Sequence, residues 1–222
     1  MRFENTEVWG FEHAIRGMRN PLESWNKSDS HYDIEEVMVD EEVVLERGKY
    51  IIGSNDLQLA QTLIRAGSEH RKFLRQIFVA VDITAPLYFF KELDTYKVGT
   101  VANSTSTMHK LASTPITIDC FEMGDFTPFI DNFKIDLSWQ TIMTYLEQLR
   151  QRYNETKDKR YWKELIRLLP ESWLQKRTVT MNYENILNMY RQRKNHKLTE
   201  WSKSFCDWVK TLPYAEELIC LE

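Results

Sequence analysis

Glycine and proline are scarce in this sequence, which has 7 Gly and 6 Pro among 222 residues. Their combined share is roughly half the usual one, which disfavours collagen-like, linker-rich and many-turned all-β chains. Hydrophobic residues make up 42% and aromatic residues 13% of the chain, which is enough to bury a core and excludes disorder as the dominant state. We therefore expect a single helix-rich domain over residues 1–222.

Cysteine is also scarce, and long apolar runs are missing. Cys120, Cys206 and Cys220 form no CxxC pair and leave an odd thiol, so neither a disulfide framework nor a zinc knuckle is indicated. Residues 1–20 carry charges throughout, without a signal-peptide core, and no window approaches about eighteen apolar residues. These features predict a cytoplasmic protein that is not exported and has no membrane partner.

A strong excess of one charge is missing as well. The 29 basic and 33 acidic residues give a formal net charge of −4, and the pI is near 5.8. Such a chain has no overall attraction for a phosphate backbone, so no nucleic-acid partner is expected. One local basic cluster, at residues 191–197, is typical of a solvated helix end. Its Arg191 and Arg193 must point to different faces of the helix, so they can hardly share one role.

Common signatures of phosphate loops, hydrolases and metal sites are absent. The chain has no GxGxxG, GxxxxGK or GxSxG motif, and the charged cluster at residues 69–75 lacks HExxH spacing, so no metal site is expected. What is present is a small, uncharged segment, Asn-Ser-Thr-Ser-Thr, at residues 103–107, near Lys97, His109 and Lys110. It could bind phosphate or sugar oxygens, or it could form an ordinary hydrogen-bonded turn.

Local patterns predict the order of the elements. Residues 1–33 contain several turn signals and suggest an irregular segment, and β-branched residues from Val37 to Ile52 suggest a hairpin that turns at Arg47-Gly48. Ser54 or Asn55 could cap a helix that ends near Gly67. Short strands are predicted at residues 77–81 and 178–182. Helices are predicted at residues 87–96, 135–153, 157–170, 183–194 and 198–212, and a loop at residues 98–110.

The C-terminal third carries a series of motifs in a fixed order. Leu169-Pro170 is followed by Thr180-Met181-Asn182-Tyr183-Glu184-Asn185-Ile186, then by Asn188-Met189, Gln192-Arg193 and Glu200. This series resembles the Leu-Pro, Thr-Val-Asn-x-Arg-x-Leu, Asn-Phe, Leu-Arg and Gln-x-Glu pattern of the flavin-dependent thymidylate synthases, the ThyX family.

A central block adds to the resemblance. Ser68-Glu69-His70 is similar to the family's Phe-Glu-His, and residues 85–92 are similar to its Ala-Pro-x-x-x-x-Arg-Gln. Thr95-Tyr96-Lys97 stands where the family has Arg-His-Arg, and residues 103–109 stand where it has Asn-Glu-x-Ser-x-Arg-Tyr. The matches span residues 66–205, about two thirds of the chain, and leave residues 1–53 outside the clear resemblance.

The resemblance implies an α+β fold in which a twisted sheet is flanked by helices. It also implies a homotetramer that binds FAD and a dUMP-like nucleotide at its subunit boundaries, with Arg193 lying against both and polarising the pyrimidine ring. The implied flavin contacts are Glu69, Lys97, Asn182 and Asn188. The implied substrate contacts are Glu92, Asn103, Ser104, Ser106 and Arg167.

Several positions depart from the family pattern. Lys97 is the one cation left of the Arg-His-Arg triplet, Met108 replaces the arginine for the substrate phosphate, Glu184 replaces an arginine, and Ser104 replaces an acid. Arg167 lies three residues before the proline rather than four. Methionine cannot replace the charge-assisted contact of arginine with phosphate, so other cations would have to hold the nucleotide.

Three hypotheses follow. In the first, the chain is a divergent family enzyme that methylates dUMP reductively, or makes a related one-carbon transfer to a pyrimidine nucleotide, with NADPH and methylenetetrahydrofolate as co-substrates. In the second, it is a catalytically retired protein of the same fold that binds a nucleotide or another protein. The third, a nucleic-acid-binding module, is disfavoured by the acidic pI.

Overall fold

The computed structural model describes residues 1–39, 42–123 and 135–221. The strands are β1 Arg2–Trp9, β2 His31–Val39, β3 Glu42–Ile51, β4 Phe78–Pro86, β5 Val101–Ser104 and β6 Leu174–Asn182. The α-helices are α1 Phe11–Met18, α2 Ser54–Ala66, α3 Leu87–Leu93, α4 Thr107–Lys110, α5 Ile135–Thr156, α6 Lys159–Arg167, α7 Tyr183–Arg193, α8 Cys206–Lys210 and α9 Ala215–Leu218. A π-helix spans Glu200–Phe205, and 3-10 turns span Asn20–Leu22, Trp25–Lys27, Lys72–Gln76 and Ile118–Cys120.

Mixed helix and sheet confirm the predicted α+β class. Four strands form one sheet in the order β1-β4-β6-β5, and β2 and β3 form a separate antiparallel ribbon. Contacts divide the chain into two compact units. The first unit comprises Met1–Glu4, Asp82–Lys97 and Ala102–Val179, and the second comprises Asn5–Val81, Val98–Val101 and Thr180–Glu222.

The core of the first unit includes a cluster that involves α5, α6 and the segment before them. The buried members of this cluster are Leu111, Ile116, Phe121, Leu146, Leu149 and Leu165. The helices form where they were predicted because their apolar residues recur at steps of three and four, but α6 is shorter than the predicted 157–170. The Asp158 carboxylate caps α6 by accepting from the Arg160 N–H at 2.9 Å, and the helix ends three residues before Pro170.

The core of the second unit involves α1, α2, α7 and the C-terminal helices. Its largest fully buried side chains include Trp201, Tyr183, Phe205, Ile15 and Ile64. The predicted helix at 183–194 is confirmed as α7. The predicted helix at 198–212 is interrupted, because residues 200–205 adopt π-helical geometry before α8 begins. A π-helical turn of this kind widens the helix locally and is frequent at functional sites.

The prediction that residues 1–33 are irregular is wrong. Strand β1 is mostly exposed and polar at the edge of the four-stranded sheet, so it lacks the alternation that identifies half-buried strands. Its pairing with a neighbour, rather than its own sequence, determines its conformation. Helix α1 is only 8 residues long, although its buried Phe11, Ala14, Ile15 and Met18 have helical spacing.

The predicted hairpin exists, but its predicted turn is wrong. Arg47 and Gly48 lie inside β3, and the strands are joined at residues 40–41, outside the described residues. The register shifts between Tyr32 and Ile34, so Gly48 lies at a bulge rather than at a turn. A Cβ on Gly48 would lie 2.7 Å from Cγ of Glu35, which explains why a glycine suits this position.

Helix α2 begins and ends near the predicted residues, but its predicted cap is wrong. Neither Ser54 nor Asn55 caps it; the carboxylate of Asp29 accepts from the N–H groups of Asn55 and Asp56 at 2.9 and 3.1 Å. A carboxylate distant in sequence therefore satisfies the first amides. Gly67 follows the last residue of α2 with φ of 116° and ψ of −178°, a conformation that glycine adopts readily and other residues rarely do.

Three further boundaries differ from prediction. The strand predicted at 77–81 continues to Pro86, and the strand predicted at 178–182 begins at Leu174. The helix predicted at 87–96 ends at Leu93. The segment predicted as a loop at 98–110 contains both β5 and α4, because backbone pairing and a serine cap impose regular structure on residues without hydrophobic periodicity.

Candidate functional site

Asn182, a predicted flavin contact in the second unit, caps helix α7. It ends β6 in extended geometry, and its Oδ1 accepts from the Asn185 N–H at 2.9 Å. Oδ1 of Asn185 accepts in return from the Asn182 N–H at 3.2 Å. This reciprocal capping box fixes both side chains. The side-chain oxygen Oδ1 of Asn182 therefore has a structural role. The side-chain nitrogen Nδ2 is the atom that remains to contact a ligand.

The turn at Val98 and Gly99 covers the start of α7 within the same unit. Asn185 donates from Nδ2 to the Val98 carbonyl at 2.7 Å. Gly99 has φ of 79°, and a Cβ there would lie 2.9 Å from Nδ2 of Asn182. Gly99 is thus required both by its backbone conformation and by its close approach to the asparagine cap.

Asn188, the second predicted flavin contact on α7, belongs to a network that includes two arginines. Arg71 donates to Oδ1 of Asn188 at 2.9 Å and to the Glu184 carboxylate at 3.3 Å. Arg75 donates to the other oxygen of Glu184. The side chains of Arg71 and Glu184 are 12% and 10% exposed, so the charges of this pair are well shielded from water. In the sequence, Arg71 is only one member of the charged cluster at residues 69–75.

The network changes the electrostatics of the arginines around it. Hydrogen bonding to Glu184 raises the pKa of Arg75. Burial, followed by repulsion from Arg71, lowers the pKa of Arg191. Glu184, Asn188 and Arg191 follow one another at steps of four and three and therefore share one face of α7. Glu184, the residue that departs from the family pattern, thus holds two cations that the second unit itself supplies.

Glu69, another predicted flavin contact, lies beside a surface cavity. Its exposed carboxylate pairs with Lys72 at 3.3 Å. A cavity of about 670 Å³ is lined by Glu69, His70 and apolar side chains that include Leu63 and Phe73. A second cavity of about 710 Å³ lies beside it, because Leu22, Ser24 and Leu59 line both. Cavities of this size and mixed lining accommodate organic cofactors.

Arg193, the predicted catalytic residue, lies over an aromatic ring. Its guanidinium carbon is 5.2 Å from the ring centroid of Trp201, which is fully buried in the π-helix. This cation–π contact orients a half-buried guanidinium. Arg191 and Arg193 therefore have different surroundings, as their spacing predicts. Trp201 was not identified from sequence, and its signal would have been an aromatic residue one position after Glu200.

The segment at residues 103–107 lies in the first unit and leads from the end of β5 into helix α4, held by hydrogen bonds to β6. Asn103 and Ser104 are exposed in β5. The Thr105 N–H donates to the Lys176 carbonyl at 2.9 Å, and Gln175 donates to the Thr105 carbonyl at 2.8 Å. Of the two interpretations that the sequence leaves open, these contacts agree with a segment held by internal hydrogen bonds.

Ser106 is the residue of this segment with the richest chemistry. Its Oγ caps α4 by accepting from the His109 N–H at 3.2 Å, and it also lies 2.8 Å from Nδ1 of the same histidine. The serine hydroxyl and an imidazole are therefore held together at the surface. If Nδ1 carries a proton it donates to Oγ and leaves the serine O–H to donate to a ligand; if Nδ1 is unprotonated it accepts from the serine O–H and leaves Nε2–H to donate.

The other predicted substrate contacts in the first unit differ in exposure. Arg167 is 61% exposed and pairs with Glu164 at 3.3 Å, as on an ordinary solvated helix face. Glu92 is half-buried on α3. Lys97, the predicted flavin contact of this unit, is exposed. Arg177, which no sequence motif identifies, has two contacts: it pairs with Asp94 at 2.9 Å, and its guanidinium carbon lies 4.0 Å from the centroid of Phe90.

Metal and membrane features are limited in the part of the chain that the structure describes. Those residues contain no group of three or more His, Cys, Asp or Glu side chains placed to hold a metal ion. None of the helices in residues 1–39, 42–123 and 135–221 is long and apolar enough to cross a bilayer.

Solved structures match this chain over nearly its whole length. One is the flavin-dependent thymidylate synthase ThyX from Helicobacter pylori complexed with FAD and dUMP; the TM-score is 0.66 at 17% identity, and the match covers 100% of this chain and 100% of that chain. The chain has a ThyX-like fold. Another structure of ThyX from Helicobacter pylori, with FAD and dUMP, gives a TM-score of 0.63 at 16% identity and covers 96% of this chain and 94% of that chain.

Sequence comparison gives a different result. No protein-family model matches the sequence, and no curated protein matches it. The ThyX-like fold is therefore divergent in sequence. It also includes residues 1–53, which lie outside the sequence resemblance, because one structural match covers the entire chain.

Proposed function

We propose that this chain is a divergent flavin-dependent enzyme of the ThyX type, which binds FAD and methylates dUMP or a related pyrimidine nucleotide reductively. The observation that carries the proposal is the full-length match to ThyX structures that contain FAD and dUMP. The order of the motifs from Glu69 to Glu200 supports it, because the order is kept even where individual residues differ and where two spacings, before Thr95 and between Arg167 and Pro170, differ by one residue.

Residues of the second unit fit a flavin. Glu69 and His70 line one of two adjoining cavities, each large enough for part of a dinucleotide. Asn182 and Asn188 are held in fixed orientations by the capping box and by Arg71. In this proposal, the side chains of Glu69, Asn182 and Asn188 bind and orient the cofactor. FAD would supply the hydride chemistry.

Arg193 is assigned the catalytic role. The contact with Trp201 fixes its direction, and a guanidinium keeps its charge across the physiological pH range. A fixed positive charge beside a pyrimidine stabilises negative charge that develops on the ring during methylation. No protein nucleophile is assigned in this proposal, so the three cysteines have no chemical role.

Residues of the first unit are assigned to the nucleotide. Ser106, Asn103 and Ser104 would bind its polar groups, and Glu92 would contact the base. Met108 cannot bind a phosphate, so the phosphate is assigned to Lys110 and Arg167, while Lys97 keeps its assignment to the flavin. Their exposure allows them to move toward a ligand. NADPH and methylenetetrahydrofolate would be the co-substrates, and the active form would be a cytoplasmic homotetramer.

A retired protein of the same fold is the second candidate. It is favoured by Glu184, which stands at an arginine position of the family and is already engaged by Arg71 and Arg75. It is also favoured by Met108, which is 49% exposed where the family places a phosphate-binding arginine. On this hypothesis, the chain binds a nucleotide or a protein without turnover.

Cofactor uptake separates the two candidates first. The purified protein should show the visible absorbance of oxidised flavin or acquire it when titrated with FAD. The absorbance spectrum of the bound FAD should then change when dUMP is added. A colourless protein that binds neither molecule would favour the retired scaffold.

Turnover of dUMP with NADPH and methylenetetrahydrofolate is the second test. Arg193→Ala should lower turnover by about 100-fold or more while the protein stays folded, because it removes a preorganised charge. Arg191→Ala is the matched control, since it removes an arginine two positions away that has different surroundings. Equal activities of the wild type and Arg193→Ala would remove the proposed mechanism.

A further inference from the structure

An aromatic cavity in the second unit has no role in the proposed function. Its volume is about 490 Å³, and it lies where the end of β1, the start of α1, the end of β3 and the turn before α9 meet. Its wall includes Trp9, Phe11, Tyr32, Tyr50 and Tyr214, with Lys49 among the polar groups. Five aromatic rings around one cavity are typical of a site for a planar ligand rather than of ordinary surface.

The walls of this cavity are fixed before any ligand arrives. The hydroxyl of Tyr214 accepts from the Ile52 N–H at 2.9 Å, and its ring packs edge-on against Phe11 with centroids 5.6 Å apart. Tyr32 and Tyr50 form a similar edge-on pair with centroids 4.9 Å apart. The rings are thus held by one another and by the backbone, so a ligand would not need to order them.

Tyr214 is also in an unusual backbone conformation. Its φ of 54° and ψ of 27° lie in the left-handed region, which aromatic residues rarely adopt. The hydrogen bond from Ile52 and the packing against Phe11 maintain this conformation. Residues held in rare conformations cluster at ligand-binding sites. Strain at Tyr214 is therefore an observation independent of the shape of the cavity.

The charge that a ligand of this cavity should carry follows from which charged side chains at the cavity already have partners within the protein. Glu12, the acid of the cavity, accepts from the Tyr32 hydroxyl at 2.9 Å and pairs with Arg47 at 3.3 Å. Arg47 also lies 3.2 Å from the centroid of Tyr32, so the protein's own guanidinium fills the cation position at this wall. The Tyr32 hydrogen bond lowers the pKa of Glu12, which stays ionised and bound to these partners. A cationic ligand would have to displace Arg47.

The remaining polar groups favour an anion. Lys49 lines the cavity and forms no ion pair with any acidic side chain that the structure describes. His13 lies at the same cavity and is exposed. An ammonium beside aromatic rings suits a ligand that has an apolar ring at one end and a carboxylate or phosphate at the other.

We propose that this cavity is a second binding site, specific for a planar aromatic ligand that carries one anionic group, with Lys49 as the anchor for that group. The ring would pack among Trp9, Tyr50 and Tyr214. Because none of the residues assigned to the flavin or the nucleotide lines this cavity, the proposal stands whether or not the chain binds FAD.

Three probes with the same ring test the proposal: naphthalene-1-carboxylate, naphthalene-1-methanol and naphthalene-1-methylammonium. Binding to the full chain is measured by calorimetry and by the change in tryptophan fluorescence. The carboxylate should bind about tenfold more tightly than the neutral probe, as expected for one charge-assisted contact, and the ammonium probe should bind most weakly. Equal binding of all three, or tighter binding of the ammonium probe, would overturn the charge assignment.

Variants locate the binding. Lys49→Ala should remove the preference for the carboxylate, and Lys49→Arg should keep it. Trp9→Ala should weaken all three probes to a similar extent. Lys210→Ala is the matched control, because it removes an exposed lysine of the same unit outside the cavity and should change nothing.

Two results would overturn the site itself. One is the absence of binding by every probe to the folded wild-type chain, with folding verified by circular dichroism. The other is carboxylate binding that Lys49→Ala and Trp9→Ala leave unchanged while Arg193→Ala abolishes it. That pattern would place the probe at the proposed active site instead.

Discussion

Arg193 lies over Trp201, with the guanidinium carbon 5.2 Å from the ring centroid. The two residues belong to different helices of the second unit, α7 and the π-helix that follows it. The arrangement connects the proposed catalytic charge to one of the largest buried side chains of the protein. A change at Trp201 should therefore affect mainly stability, and a change at Arg193 should affect mainly activity.

Trp201→Ala should lower the free energy of unfolding by about 3–5 kcal/mol, because it leaves a large cavity in the core. Arg193→Ala should lower it by only about 0.5–1 kcal/mol, the size of a partly exposed cation–π contact. Urea unfolding of the two variants measures the difference. Trp201→Phe keeps an aromatic ring, so its loss in the free energy of unfolding should lie between those of the other two variants. A loss from Arg193→Ala as large as that from Trp201→Ala would mean that Arg193 is mainly structural.

Glu184 should be essential for stability as a carboxylate. Glu184→Ala leaves Arg71, which is 12% exposed, without its carboxylate partner and with only the amide oxygen of Asn188, so we expect a loss of about 2–4 kcal/mol in urea unfolding. Arg75→Ala should cost much less, because Arg75 is 50% exposed and its pair with Glu184 is screened by water.

Placing the family's arginine at position 184 should destabilise the fold. Glu184→Arg places three guanidinium groups together and should be more destabilising than Glu184→Ala. The triple change with Arg71→Ala and Arg75→Ala should recover part of the loss, because it removes the repulsion. A Glu184→Arg protein as stable as the wild type would show that the surrounding charges rearrange freely.

Glu147 should make the first unit sensitive to acid. Hydrogen bonds from Arg150, opposed by desolvation and aided by the Ile116 N–H, lower the pKa of Glu147 from 4.5 to about 2. The folded-state pKa is below the unfolded one, so the stabilisation is complete above about pH 4.5 and is lost as the pH falls toward 2. With its side chain 22% exposed, we expect about 2–3 kcal/mol to be involved.

Unfolding measured between pH 2 and 7 tests this. Glu147→Gln should flatten the acid limb of the stability curve. Glu155→Gln, on the same helix, is the control, because Glu155 is 62% exposed and makes only a surface pair with Arg152. The same slope in wild type and Glu147→Gln would show that other carboxylates govern acid unfolding.

Ser106→Ala should weaken nucleotide affinity more than flavin affinity. The change removes both contacts between Ser106 and His109, so the donor that the pair presents is lost. Fluorescence titrations with dUMP and with FAD measure the two affinities separately. Ser113→Ala, an exposed serine of the same unit, should alter neither. Equal weakening of both ligands would mean that this segment is not the nucleotide site.

Much of the secondary structure follows from sequence because it depends on local spacing. Helices α5, α6 and α7 have apolar residues at steps of three and four, and Gly67 ends α2 because glycine adopts a positive φ readily. The ThyX-like fold could also be predicted from the sequence, because the motifs between Glu69 and Glu200 keep their order although several of their charged residues are substituted.

Tertiary contacts decided the rest. The edge strand β1 forms by pairing, and the cap of α2 comes from Asp29, 26 residues before Asn55, so neither has a local signal. The same is true of the candidate site. Glu184 suggests a lost function in the sequence, but in the structure its carboxylate binds Arg71 and Arg75, which lie more than a hundred residues earlier. Side-chain partners distant in the chain are brought together by packing, which no local pattern encodes.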